Sequence, residues 1–449
     1  FPRSASPVPG RHGTLQDVEN LLPRLAEMGF DVLLFPPIFP VGKTGRKGKD
    51  NSSTTLPDDV GAPWAVGSEE GGHTTIHASL GTMADFERLM KTASVKGIEI
   101  ALDLALRCSP DHPYVKEHPE WFHRSPDGKV IIEEQPPISY GDSVNFDICC
   151  DDWENLWQEL KNNLLFWAEK GVRIFYGSAP HYKPFSFLKW LISEVQKEYP
   201  DVIFVSGAIT RTKVAEELAK CGFAQSFTHF MWKNTADELR QHLLDWSTGI
   251  SREILRPNFF TNTIDVLPTS LQAAGENAFL LRYALAATLS SNCGIYGPVF
   301  ELMENNPRAE DTEKYLHSEK YEIRWHDWSA RNRLTDFIAR INRIRHDNPA
   351  LQDTYNIVFP KTDNDKLFSF VKATPDRRNI IWCIVNLDPH NKQAGYVEVP
   401  KELLGLRSRW FNLKVDELLS GDNYNWFNDW NYVELKPERF PLHVLRIEV

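Results

Sequence analysis

GVRIFYGSAPH (171–181) and VIFVSGAITR (202–211) each read as a buried strand running into a loop. In both, an apolar run with β-branched residues ends in Gly, Ser and Ala, and a helical pattern follows. Strand ends of this kind are where a (β/α)8 barrel carries its chemistry. Acids are expected at such tips, and neither stretch has one. The first offers Tyr176, Gly177, Ser178 and Ala179, the second Ser206, Gly207 and Ala208.

Working outward, five more segments read as parallel strands: 31–36, 98–104, 226–232, 258–262 and 294–298. Helical patterns separate them. The first is signalled by Thr14 with Asp17 three residues on, a capping box, and stops at Gly29. Others run from Thr82 to Gly97, then over 151–170, 185–199, 212–221, 236–247, 276–291 and 334–347. Strands alternating with helices imply a parallel sheet covered by helices. A closed barrel takes eight strands; seven are found, and Phe1-Pro2 is read as a stub of the missing first one. The alternative, an open doubly wound sheet, lacks a GxGxxG turn after any strand. Loops at 39–78 and 107–145 are long enough to be functional. The second reads as a subdomain inserted at about 107–146. Beyond Asn348 the texture changes to short β-rich runs, at Leu367–Ala373, Asn379–Asn386, Ala394–Val399 and Val444–Val449. The expected organisation is a (β/α)8 barrel over 1–352 and a C-terminal β-sandwich over 353–449.

The 449 residues carry a formal charge of −11, which argues against nucleic acid or an anionic membrane as partner. Fourteen Trp and 12% aromatics suit carbohydrate binding, though large α/β cores also use many. Six scattered cysteines form no metal-ligand spacing and no compact disulfide pattern, so a reducing cytoplasm is the expected compartment. No apolar run is long enough to span a bilayer and no signal peptide is read. The chain opens Phe-Pro-Arg, so residue 1 is expected not to begin the gene product.

Longer blocks carry more information. They include FPRSASPVPGRHGT (1–14), GFDVLLFPPI (29–38), RKGKDN (46–51), GSEEGGHTTIH (67–77), CSPDHPYVKEHPEWF (108–122), NFFTNTIDVLP (258–268), SSNCGIYGP (290–298), SEKYE (318–322) and RINRIRHDNPAL (340–351). Together they resemble the α-1,4-glucan:maltose-1-phosphate maltosyltransferases of glycoside hydrolase family 13. The resemblance implies a barrel with an inserted subdomain, a C-terminal β-sandwich, a family N-terminal region upstream of Phe1, and dimers. It also implies a retaining mechanism: an Asp nucleophile, a Glu acid/base and a second Asp, with the two reacting carboxyls about 5 Å apart.

This chain departs from that pattern. Where the family has FRVDNPH, it has Phe175-Tyr176-Gly177-Ser178-Ala179-Pro180-His181, so Ser178 takes the nucleophile position and Tyr176 that of an Arg. Where the family has AEAFTR, residues 206–211 read SGAITR, and Gly207 takes the acid/base position. Asp265 matches the third carboxylate. The family's NPPKKY is matched by Gln135-Pro136-Pro137-Ile138-Ser139-Tyr140, which loses a Lys; the Asn after the nucleophile is Ala179, and a Gln after the third strand is Arg107. Lys47, Lys320 and Tyr321, at sugar-contacting positions, remain. No catalytic group is therefore expected intact, and a ligand is expected to meet Lys47, Arg107, Tyr140, Tyr176, His181, Lys320 and Tyr321. No metal or cofactor is expected.

The resulting expectation is a maltosyltransferase-like pseudoenzyme that binds maltooligosaccharide or α-glucan, or scaffolds an active relative or another protein. Altered chemistry in the same cavity and a purely structural subunit are the alternatives. Attack by Ser178 needs a neighbouring base; family members keep a His at 181 without using it as one. His73, His77, His112 and His118 read as satisfied loop histidines rather than a metal cluster. Trp426, Phe427, Trp430 and Tyr432 are a candidate glucan-stacking platform, but their near-alternation on a strand puts half of them in the core, and the core reading is favoured over the platform. Glu301, Glu304, Glu310, Asp311 and Glu313 read as a solvated loop.

Overall fold

The computed structural model describes residues 1–132, 134–135, 138–407 and 410–448. The chain divides into two compact units, 1–226 with 307–330 and 227–306 with 331–449. Among the described residues seven parallel strands follow chain order, five in the first unit and two in the second.

In the first unit the parallel neighbours are β1 (Val32–Phe35), β2 (Glu99–Asp103), β3 (Ile174–Gly177), β4 (Ile203–Ser206) and β5 (Phe223–Phe227). Helices α1 (Leu15–Glu27), α2 (Met83–Val95), α3 (Trp153–Glu169), α4 (Phe185–Glu198) and α5 (Thr212–Cys221) alternate with them. Thr14 with Asp17 and Thr82 with Asp85 close capping boxes at α1 and α2, each satisfying two orphan amides. Side-chain parity along β3 sorts its two faces. Phe175 enters the core with Phe86, Phe187, Phe204 and Phe223, leaving Tyr176 for the opposite face. Each buried ring contributes about 1.5–3 kcal/mol of apolar transfer energy, so this packing fixes which way Tyr176 points. The excursion after β2 returns as a short antiparallel ladder of Arg107–Cys108 with Val144–Asn145, enclosing a hairpin of Glu134–Gln135 with Ile138–Ser139. Of the stretch matched to NPPKKY, Pro136 and Pro137 lie outside the described residues.

The second unit holds α6 (Ala236–Ser247), β6 (Arg256–Phe260), α7 (Glu276–Leu289), β7 (Asn292–Gly294) and α8 (Arg333–Asp347). Its C-terminal part is all β. β8 (Ile357–Val358), β9 (Leu367–Ala373), β10 (Ile380–Asn386), β12 (Leu413–Glu417), β13 (Asn423–Trp426) and β15 (Leu442–Glu448) form one antiparallel sheet in the order 8-9-10-15-12-13. β11 (Gln393–Glu398) and β14 (Trp430–Leu435) pair as a second, two-stranded sheet. Trp382, Val397, Val433 and Leu445, from strands of both sheets, share one buried core.

Three expectations are corrected. Pro2–Ser4 is a 3-10 turn, not a strand stub; proline has no N–H to give a ladder and its fixed φ suits the first position of a turn. The strand placed at 226–232 ends at Phe227, and His229–Trp232 is a 3-10 turn capped by Thr228. The last strand is Asn292–Gly294 rather than 294–298.

Candidate functional site

The tips of β2, β3 and β4 and the loops 39–78, 107–145 and 307–330 all belong to the first unit. Tyr176 and Val205 are register partners, as are Gly177 and Ser206. The Gly207 N–H donates to Gly177 O at 2.9 Å. Tyr176 leans across this junction onto Gly207. A Cβ built at 207 would lie 2.0 Å from Tyr176 Oη and 2.3 Å from its Cζ, inside any tolerable contact. The phenol therefore stands in the space that a side chain at 207 needs. Beside it, Ser178 is exposed, and Ala179 holds a left-handed conformation at φ 50°.

No hydrogen bond joins Ser178 to a base among the described residues. His181, three residues on, packs tilted against Tyr182 with ring centroids 4.2 Å apart, and its buried Nδ1 has no hydrogen-bond partner. Burial pushes its pKa down, so it is a neutral ring not linked to Ser178.

A charged cluster lies nearby in the same unit. Asp103, at the end of β2, is buried and accepts the Trp64 indole N–H at 2.8 Å and the Ala105 N–H at 3.0 Å. Burial pushes its pKa up to about 6, against the pull of these bonds and of Arg107 and Lys320. Lys320 is buried with its Nζ 4.9 Å above the Trp64 ring and 5.9 Å from that of Tyr321. The Arg107 guanidinium lies over the Tyr140 ring at 4.9 Å. Asp142 is buried and its Oδ2 has no hydrogen-bond partner; burial raises its pKa while Arg107, Lys47 and Lys320 draw it down. Of the expected ligand residues, Lys47, Arg107, Tyr140, Lys320 and Tyr321 thus come together. Tyr176 is spent on Gly207, and His181 packs on Tyr182. Asp265 belongs to the second unit, in a turn where its N–H donates to Thr263 Oγ1 at 3.3 Å.

Trp64, Asp103 and Asp142 were not singled out from sequence. Asp103 had a signal, an acid ending the strand IEIALDL at 98–104; Trp64 and Asp142 sit in loops without periodicity. Of the loop histidines, His73 and His112 hydrogen-bond each other at 3.1 Å, and His118 stacks on Trp121 at 3.8 Å. Glu301, expected in a solvated loop, is 1% exposed. Its carboxylate tucks against Gly297, where a Cβ would lie 2.7 Å from Oε1.

Residues 359–447 match the family model described as "GLGE, C-terminal". Over its full length the chain is 47% identical to the α-1,4-glucan:maltose-1-phosphate maltosyltransferase of Chlorobaculum tepidum, covering 68% of that protein. The chain belongs to the α-1,4-glucan:maltose-1-phosphate maltosyltransferase family. The maltosyltransferase of Methylacidiphilum infernorum is also 47% identical, over all of this chain and 67% of its own length. The fold is shared more widely. A maltogenic α-amylase from Thermotoga neapolitana superposes with a TM-score of 0.76 at 17% identity, covering 100% of this chain and 97% of its own. An α-amylase from Lactobacillus plantarum gives 0.72 at 17%, covering 97% and 95%.

The maltosyltransferase C-terminal region adds an aromatic strip to this chain's surface. Tyr396 and Tyr432 face each other across β11 and β14 with ring centroids 5.7 Å apart. Both are exposed, as are Trp430 and Phe427. Trp426 instead is buried and meets Trp382 edge-on at 5.2 Å.

Proposed function

We propose that this chain is a maltosyltransferase-family protein without maltosyl-transfer activity, retained to bind maltooligosaccharide or α-glucan. The observation that carries the reading is the Tyr176 phenol occupying the side-chain space of Gly207. A missing acid could be restored by one substitution; here the vacated space has been filled. The retaining reaction needs a carboxylate to attack the anomeric carbon and a carboxylic acid to protonate the leaving oxygen. The matched positions supply an exposed Ser178 with no base hydrogen-bonded to it, and no side chain at all. Asp103 is tied by Trp64 and Ala105 and serves as a brace for the loop.

Binding is supported by what remains. Lys47, Arg107, Lys320 and Tyr140 supply donors and an aromatic face, and the uncommitted Asp142 oxygen supplies an acceptor. The exposed rings of Tyr396, Trp430 and Tyr432 supply a second aromatic surface of the kind sugars stack on.

The test pairs two measurements on the purified chain. Phosphate release from maltose 1-phosphate, with a maltooligosaccharide acceptor, is expected to stay at the enzyme-free rate. Calorimetry with the same acceptor is expected to show saturable binding. Turnover at a rate ordinary for this family overturns the inactive reading. Silent calorimetry overturns the binding reading and leaves a scaffold.

A further inference from the structure

Asp50, His317 and Glu322 converge in the first unit. His317 Nδ1 stands 3.3 Å from Asp50 Oδ2 and 3.3 Å from Glu322 Oε1, and the three atoms lie within 4.8 Å of one another. No hydrogen bond links the ring nitrogen to either carboxylate among the described residues, and Glu322 Oε1 is buried without a hydrogen-bond partner. One imidazole N–H could serve at most one of the two acids. The arrangement brings one ring nitrogen and two carboxylate oxygens to within reach of one point.

We propose that these three side chains bind a divalent transition ion of the zinc class. Bonds of about 2.0–2.1 Å in a tetrahedron put neighbouring ligand atoms about 3.3 Å apart, the spacing seen on both sides of His317. A mixed nitrogen and oxygen set favours zinc over calcium or magnesium, which take all-oxygen shells. The support behind the ligands is also present: Asp50 Oδ1 accepts the His317 backbone N–H at 2.6 Å, which orients the carboxylate. A second cluster of the same composition makes the contrast. In His118, Glu120 and Asp152 the ring nitrogen already bonds Glu120 at 3.2 Å, and the Asp152 oxygens accept from Trp121 and Asn155. Its ring nitrogen and both Asp152 oxygens already have hydrogen-bond partners.

The ion would join two loops. Asp50 follows Lys47 by three residues, and His317 and Glu322 flank Lys320 and Tyr321. The metal is a staple that holds the Lys47 loop to the Lys320 loop, not a participant in bond making. The inference stands whether or not the chain is catalytically inert.

The full chain is first stripped with a chelator and then titrated with zinc, followed by calorimetry and thermal melting. One equivalent is expected to bind and to raise the melting temperature. H317A, at a half-exposed position, is expected to fold and to weaken zinc binding by more than about tenfold; E322Q is expected to do the same, and H118A to leave it unchanged. Absence of binding, or equal binding by H317A, overturns the site. Destabilisation by H317A with no response to zinc also overturns it, and leaves His317 in a structural contact with the two acids.

Discussion

Tyr176 and Gly207 are joined by one close contact. A phenol at the end of β3 and a bare backbone at the end of β4 fit only together, since a Cβ at 207 falls 2.0 Å from the hydroxyl. G207A is expected to destabilise the chain by about 1–3 kcal/mol through overpacking. Y176A is expected to relieve much of that cost, giving a coupling of about 0.5–3 kcal/mol in a double-mutant cycle read by urea melts. Strictly additive effects would contradict the contact. Next to this pair, Ala179 sits at φ 50°, a region that costs a residue with a Cβ about 1–2 kcal/mol and that Asn tolerates better. A179N is expected to raise the melting temperature, and a fall would show that the site wants something else from Ala. That positions 176, 178 and 207 hold Tyr, Ser and Gly, with no acid among them, was legible in the sequence. Their mutual fit was not, because strand parity says which face Tyr176 takes but not that it leans onto the neighbouring strand.

At the scale of elements, the loops behave as a buried polar network. His112 accepts the Tyr114 N–H at Nδ1 and so carries its proton on Nε2, 3.1 Å from His73 Nδ1; His73 in turn donates to Ala105 O at 3.0 Å. Burial, with His73 adding to it, drives the His112 pKa down to about 2. The unfolded chain binds the extra proton below about 6.5, so this contribution is complete above that pH and is lost as pH falls toward 2. Asp103 has the opposite sign. Its pKa rises from 3.8 to about 6 on folding, so its contribution is present below 3.8 and is lost as pH rises through 6. Urea midpoints measured from pH 7.5 to 5 are expected to fall less steeply in H112N and more steeply in D103N than in the parent. Identical slopes in all three would contradict both assignments.

Elements with a strong local signal were readable. The Thr14–Asp17 capping box placed α1, and short β-rich apolar runs placed β9 and β10. Alternation did not sort the C-terminal aromatics: Trp426, Trp430 and Tyr432 share one parity, yet Trp426 is buried on β13 while Trp430 and Tyr432 are exposed on β14. Elsewhere tertiary packing decided. Thr228 caps a 3-10 turn where β-rich composition suggested continued strand, and Glu301 is buried against Gly297 despite acidic neighbours. The charged cluster was half legible: Lys47, Arg107, Tyr140, Lys320 and Tyr321 were expected, whereas Trp64 and Asp142 lie in loops with no pattern to read.

At the scale of the molecule, seven parallel strands and an all-β C-terminal region carry the family's architecture, while the tips of β3 and β4 carry no acid. A chain that keeps the frame for sugar but lacks the means to form a glycosyl bond to itself is the expectation that follows from the proposed function. Intact-mass spectrometry after incubation with an activated donor, α-maltosyl fluoride, tests this most directly, because it reads the covalent step without requiring turnover. An unmodified mass is expected at every time point. A maltosyl adduct, on Ser178 or on any carboxylate, would contradict it.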